Sequence, residues 1–148
     1  MGKTYTVSFD STSSLSGTNN SNRSFVTNWD SILPEGKEFK VSFSYMSAAT
    51  VVANGVIMAL HVNVGQTTAF AASGGPLAST RFMGYLLIGS DNVSEYYYAT
   101  TTTNHPMYIK SRPPSSTTEI SLEQGLTQTN YALPVPSDYV LTIFFEEL

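Results

Sequence analysis

The chain has 148 residues, no cysteine and a net charge of −4, and only 12% of its residues are charged, against about 25% in typical domains. A single domain of that length buries roughly two-thirds of its extended-chain surface without disulfide staples. Its seven Lys and Arg are scattered, which excludes the clustered basic footprint of a nucleic-acid binder. Solubility rests on Ser, Thr and Asn instead. Nothing after Met1 reads as a basic-then-apolar signal peptide. The most apolar run, AATVVANGVIMALHV, is broken by Asn54-Gly55 and is too short to span a bilayer, so a soluble chain is expected. The opening MGKTYT fits the N-myristoylation pattern at Gly2, but a Thr-rich chain meets that pattern by chance, and Lys3 is unfavourable there.

Alternation dominates from the start. Tyr5, Val7 and Phe9 share one face of TYTVSF, the two-residue period of a strand with one buried side. Residues 11–22, STSSLSGTNNSN, read as a polar loop, and 23–27 as a second strand. In EFKVSFSYM, Phe39, Val41, Phe43 and Tyr45 take one face and Lys40, Ser42 and Ser44 the other. Met58, Leu60 and Val62 repeat the pattern in VIMALHV, with Ile57 and Ala59 making its second face less polar. Residues 81–88, 95–101, 117–122 and 139–146 complete eight predicted strands.

No window shows apolar residues at helical spacing, and β-branched and aromatic residues fill the periodic segments. All seven prolines fall between the predicted strands, where a missing backbone donor does no harm. The predicted core is Val7, Phe9, Phe39, Val41, Phe43, Met58, Leu60, Val62, Leu86, Leu122, Leu141, Ile143 and Phe145. The chain reads as a single domain, residues 1–148, all-β, an eight-stranded antiparallel sandwich. The closing DYVLTIFFEEL favours a jelly roll, in which the last strand lies between two others and beside the first. Leu141, Ile143 and Phe145 then face the core, while Val140 and Phe144 face outward onto a surface that something covers. An open edge strand of that composition would aggregate.

Catalytic chemistry is poorly represented. Of two histidines, His61 sits on the VIMALHV strand opposite Met58, Leu60 and Val62, and His105 precedes Pro106 in a turn. A zinc site needs three or four converging ligands, and no second histidine stands two residues from either. No phosphate-binding loop, nucleophile elbow or His-Glu-xx-His run is present. Asp10, Asp30, Asp91 and Asp138 stand at strand ends and in connections, where capping a turn is the common role. The sequons at Asn19, Asn22 and Asn92 arise readily in a chain this rich in Ser and Asn. The expectation is a non-enzyme with no cofactor, no metal and no catalytic residue.

Two stretches look like surfaces for a partner. In EYYYATTTTN, alternation sets Tyr97 apart from Tyr96 and Tyr98. An outward Tyr97 would be a contact anchor, as tyrosine is enriched at interfaces, whereas the plainer reading is a strand with two tyrosines in its core. In YIKSRPPSSTTEISL, Pro113 and Pro114 stiffen the loop and would present Arg112 to a neighbour at low ordering cost. With Val140 and Phe144 these residues form the candidate subunit interface.

Three stretches carry a resemblance: WDSILPEGKEFKVSFSYMS, NHPMYIKSRPPSSTTEISL and the closing SDYVLTIFFEEL. Their order resembles the single-jelly-roll penton proteins, or minor capsid proteins, of large DNA viruses, virophages and Polinton-type elements. In that family a Trp-Asp segment with a Leu-Pro-x-Gly turn precedes an aromatic strand, an Asn-x-Pro element leads to a Pro-Pro turn, and a strand like the last one here closes the chain. The motifs are short, and the similarity spans most of the chain. The resemblance implies a homopentamer closing the fivefold vertices of an icosahedral double-stranded DNA virus. It also implies neighbouring major and minor capsid proteins as partners, residence in the virion, and synthesis in the host cytoplasm. No nucleic-acid contact and no membrane span are expected. The alternative is a carbohydrate-binding β-sandwich, with Trp29, Tyr97 or Tyr85 stacking on sugar rings.

Overall fold

The computed structural model of the protein describes residues 2–13, 16–19, 22–48, 56–64, 82–88, 96–99, 107–124 and 139–148. Ten strands occur among them: β1 (Thr4–Asp10), β2 (Ser16–Asn19), β3 (Asn22–Val26), β4 (Phe39–Ala48), β5 (Val56–Val62), β6 (Phe82–Ile88), β7 (Tyr96–Ala99), β8 (Met107–Ile109), β9 (Thr117–Gln124) and β10 (Tyr139–Glu147). Helix among the described residues is confined to a 3-10 turn at Ser11–Ser13 and the single turn α1 (Trp29–Ile32). The chain is all-β.

Eight of the ten strands are those expected from alternation. The other two are marginal. The stretch expected as a polar loop, 11–22, instead supplies the 3-10 turn and β2. Its Ser, Gly, Thr and Asn residues show no apolar period, and β2 is held by an irregular ladder to β3. β8 has three residues, too few to display a period.

The strands form two sheets. The first runs β1-β10-β4-β7, with β8 also paired to β4, and the second runs β2-β3-β9-β5-β6. Every ladder is antiparallel. The inner faces of the two sheets share one core. Phe9 of the first sheet meets Phe25 of the second edge to face, with ring centroids 5.3 Å apart. Gly84 of β6 lies so close to Phe43 of β4 that a Cβ there would stand 3.2 Å from the ring, and the ring would have to shift by a few tenths of an ångström to admit one.

β10 organises the first sheet. It pairs with β1 on one side and β4 on the other, placing Ile143 between Val7 and Phe43. Tyr139, Leu141, Ile143 and Phe145 are buried while the residues between them are half-buried. Full burial of one such apolar side chain contributes about 1.5–3 kcal/mol, so a one-residue slip of register would be strongly disfavoured. Of the predicted core, ten side chains are buried: Phe9, Phe39, Val41, Phe43, Leu60, Val62, Leu122, Leu141, Ile143 and Phe145. Val7 packs against the core only in part, because β1 is an edge strand with one neighbour. The side chains of Met58 and Leu86 lie outside those described.

The two ends of the described chain meet at one corner. Glu147 donates its amide to the Lys3 carbonyl at 2.8 Å, and Leu148 donates to Glu38 at 3.0 Å. A side chain at Gly2 would overlap the Glu147 carbonyl. Lys37 pairs with the Glu147 carboxylate at 2.9 Å, and the Tyr5 hydroxyl reaches the same carboxylate at 3.4 Å. The Lys37 ammonium beside it holds the Glu147 carboxyl below its ordinary range.

Candidate subunit interface

The outer face of the first sheet is built from the residues between the buried ones. β1 contributes Thr4, Thr6 and Ser8, β4 contributes Lys40, Ser42, Ser44 and Met46, and β10 contributes Val140, Thr142, Phe144 and Glu146. Val140 and Phe144 therefore stand where alternation places them, half-buried on the outer face. Phe144 lies between Thr6 and Ser42, and Val140 between Asp10 and Met46. Small hydroxyl residues surround them, and Ser8 and Thr142 share a hydrogen bond at 3.1 Å. The one ion pair described on this face, Lys40 with Glu146 at 3.6 Å, is exposed and contributes little. Met46 is 49% exposed, so part of this sparsely charged, partly apolar surface is open to solvent.

A second apolar exposure adjoins it. Tyr108 of β8 pairs with Lys40 and is 59% exposed, while Ile109 beside it is buried. Tyr108 escaped the sequence reading. The signal was local: a tyrosine between Met107 and Ile109, both turned to the core, must face out.

Arg112 makes its contacts within its own chain. Its Nε bonds the Asp30 carboxylate at 3.0 Å, Nη2 approaches Glu35 at 4.0 Å, and Nη1 donates to the Leu33 carbonyl at 3.3 Å. The guanidinium is 24% exposed and both carboxylates are far more open, so Arg112 braces the turn after α1 within its own subunit. Pro113 is buried and Pro114 exposed. The loop they stiffen forms one wall of a cleft of about 140 Å³, the other wall being Val26, Trp29 and Asp30. Val26 is 71% exposed.

The ladder of β7 pairs Tyr98 with Met46, Tyr97 with Ser47 and Tyr96 with Ala48. Directly opposed residues share a face. Tyr97 thus takes a register position two residues from Tyr45 on β4, and Tyr96 and Tyr98 take the alternate positions. The expectation of an outward Tyr97 therefore concerns side chains outside those described. Their side chains, like that of Tyr85, are not among those described. Trp29 is 3% exposed and packs edge-on against Phe145 at 5.4 Å. It offers no platform for a sugar, which corrects that expectation.

Candidate chemistry is sparse among the described residues. No group of three or more His, Cys, Asp or Glu able to hold a metal occurs there. His61, paired with Ser121, is buried between buried Leu60 and Val62, so both faces of β5 are covered at this point. Asp10 accepts hydrogen bonds from the Thr12 amide and hydroxyl at 2.9 and 2.7 Å, a turn-capping role, and those bonds lower its carboxyl pKa. No described helix is long and apolar enough to cross a membrane. Compared with protein-family models and with curated proteins, the chain matches none.

Proposed function

We propose that this chain is a structural capsid protein, a penton capsomer that closes the fivefold vertices of an icosahedral double-stranded DNA virus as a homopentamer. One observation carries the reading. Omitting the marginal β2 and β8, the sheets run β1-β10-β4-β7 and β3-β9-β5-β6, so the first strand lies beside the last and each sheet draws on both halves of the chain. That order supports a jelly roll, an architecture common to capsid and lectin domains. The sparsely charged outer face of the first sheet suits protein contact, since interface cores are depleted in charge. Neighbouring major and minor capsid proteins are the further partners, and the virion vertex is the place of action.

A ring of five requires a heterologous contact, one patch of each copy meeting a different patch on the next. The test is light scattering of the purified chain across a concentration series. The expected result is a five-copy particle that persists at moderate salt, because few ion pairs can hold it. A strict monomer at high concentration that also binds an immobilised glycan overturns the reading in favour of a carbohydrate-binding sandwich.

A further inference from the structure

The first sheet ends on a bare strand. Among the described residues β1 has one neighbour, β10, and their ladder runs unbroken from Thr4 opposite Glu146 to Asp10 opposite Val140. Proline, a bulge or an inward-pointing charge commonly blunts such an edge. β1 has no proline and no bulge, and its inward positions, Tyr5, Val7 and Phe9, carry no charge. Tyr5 and Val7 stay half-buried, whereas Phe145 and Ile143 opposite them on β10 are fully buried. The free side of β1 therefore leaves part of the core open.

The ladder also fixes which backbone groups face away. Glu147 donates its amide to the Lys3 carbonyl, and in an antiparallel ladder hydrogen-bonded pairs alternate with unbonded ones. With Lys3 in a bonded pair, Tyr5, Val7 and Phe9 bond β10. Thr4, Thr6, Ser8 and Asp10 then turn their N–H and C=O groups to the free side. The hydroxyl contact between Ser8 and Thr142 at 3.1 Å fits this phase, since side chains approach closest in unbonded pairs.

The exposed groups match those of their own strand. Laid antiparallel on a second copy and centred on Val7, β1 places Thr4 opposite Asp10 and Thr6 opposite Ser8, so outward groups meet outward groups. Only this register pairs all seven residues of the strand, and a one-residue slip sets outward groups against those already bonded to β10. On the core side Tyr5 meets Phe9 and Val7 meets Val7, the aromatic and β-branched pairs that stabilise a sheet. Asp10 meets Thr4, so like charges do not stand directly opposite. Glu146 and Glu147, across the ladder from Thr4 and Lys3, are already paired with Lys40 and Lys37.

We propose that β1 is a self-pairing edge, through which two copies join their first sheets about a twofold axis at Val7. The contact is isologous and does not rest on the ring reading above. It doubles whichever species, single subunit or ring, carries a free β1.

The chain has no cysteine, so a single introduced one reports the axis. Across an unbonded antiparallel pair the Cα atoms stand about 4.5 Å apart, within the roughly 4.4–6.8 Å that a disulfide spans. Val7→Cys should form a two-chain disulfide on air oxidation. Thr4→Cys is more exposed but would stand about 20 Å from its counterpart across the pair, and should cross-link far more slowly. Thr6→Pro removes an outward amide and leaves the β10 ladder intact. It should weaken the doubling seen by light scattering about tenfold or more, with an unchanged β-sheet circular dichroism spectrum. The Thr6 and Ser8 amides should exchange rapidly in the dilute chain and gain protection as concentration rises, while those of Tyr5 and Val7 stay protected throughout. Equal cross-linking of the two cysteine variants overturns the proposal, and so does a mass that stays at one or at five copies. Protected Thr6 and Ser8 amides in the undoubled chain overturn it too, by showing that the chain covers its own edge.

Discussion

The core has two ends of different character. Around Phe145, rings meet edge to face: Trp29 at 5.4 Å and Phe39 at 6.1 Å, with no polar atom on the phenyl rings to satisfy. About 20 Å away, six residues back along β10, Tyr139 stacks on Tyr45 at 5.3 Å and 27°. Tyr139 is just as deeply buried, yet its hydroxyl has no hydrogen-bond partner among the described residues. The same strand, at the same depth, carries well-satisfied apolar packing at one end and a desolvated polar group at the other. Burial alone does not measure stabilisation; what the buried atoms are matters as much.

The largest expected effect breaks the Phe145 end. Phe145→Ala removes a ring that Trp29 and Phe39 both touch, and should lower unfolding stability by about 3–5 kcal/mol, read from denaturant midpoints. A loss below about 1 kcal/mol would show that this end collapses around the gap. Tyr139→Phe sharpens the contrast in the opposite direction. Deleting a buried hydroxyl that lacks a partner should leave stability unchanged or raise it by up to about 1 kcal/mol. The change also has a pH signature. Burial pushes the Tyr139 phenol well above its ordinary value, with a smaller opposing effect of the Arg23 charge. Above pH ~10 the unfolded chain releases this proton and the folded chain keeps it, so stability falls as pH rises. Tyr139→Phe should flatten that alkaline decline.

The smallest effect tests the corner where the chain ends meet. Lys37 holds the Glu147 carboxyl below its ordinary range, so its contribution is present above the unfolded carboxylate pKa and lost as pH falls through the lowered folded value. Glu147→Gln should reduce the acid-side slope of a thermal unfolding profile at low salt, and added salt should erase the difference. An unchanged slope would show the pair to be energetically idle.

Sheet membership was legible where period-2 alternation met a strong apolar contrast, as in β1, β4 and β10. It failed where contrast was absent. β2 has no apolar side chain to set a phase, and β7 has three tyrosines in a row, which set none either. The interface was harder still. Val140 and Phe144 follow from their own strand, but the partners of Arg112 within the chain, Asp30 and Glu35, lie some 80 residues away in sequence and leave no local signal. Trp29 looked available for the same reason: its cover comes from Phe9 and Phe145, at opposite ends of the chain. Alternation reports which side of a strand is apolar, and says nothing of which distant segment arrives to cover it.

The pairing of β1 with β10 also governs when the sandwich can form. Its partners are separated by as many as 142 positions, Thr4 opposite Glu146, so the contact is about as non-local as this chain permits, and such contacts slow folding. On a ribosome adding about 5–20 residues per second, β1 waits several seconds or more for residues 139–147 to emerge. Until then β4, too, lacks its central neighbour, with Phe39, Val41 and Phe43 uncovered on one edge. Thr4, Thr6 and Ser8 on the alternate positions of β1, and Lys40, Ser42 and Ser44 on those of β4, keep half of each waiting strand hydrated. The arrival of β10 thus completes the first sheet by joining β1 to β4, and truncation within residues 139–147 should release an aggregation-prone chain with open strand edges rather than a weakened one.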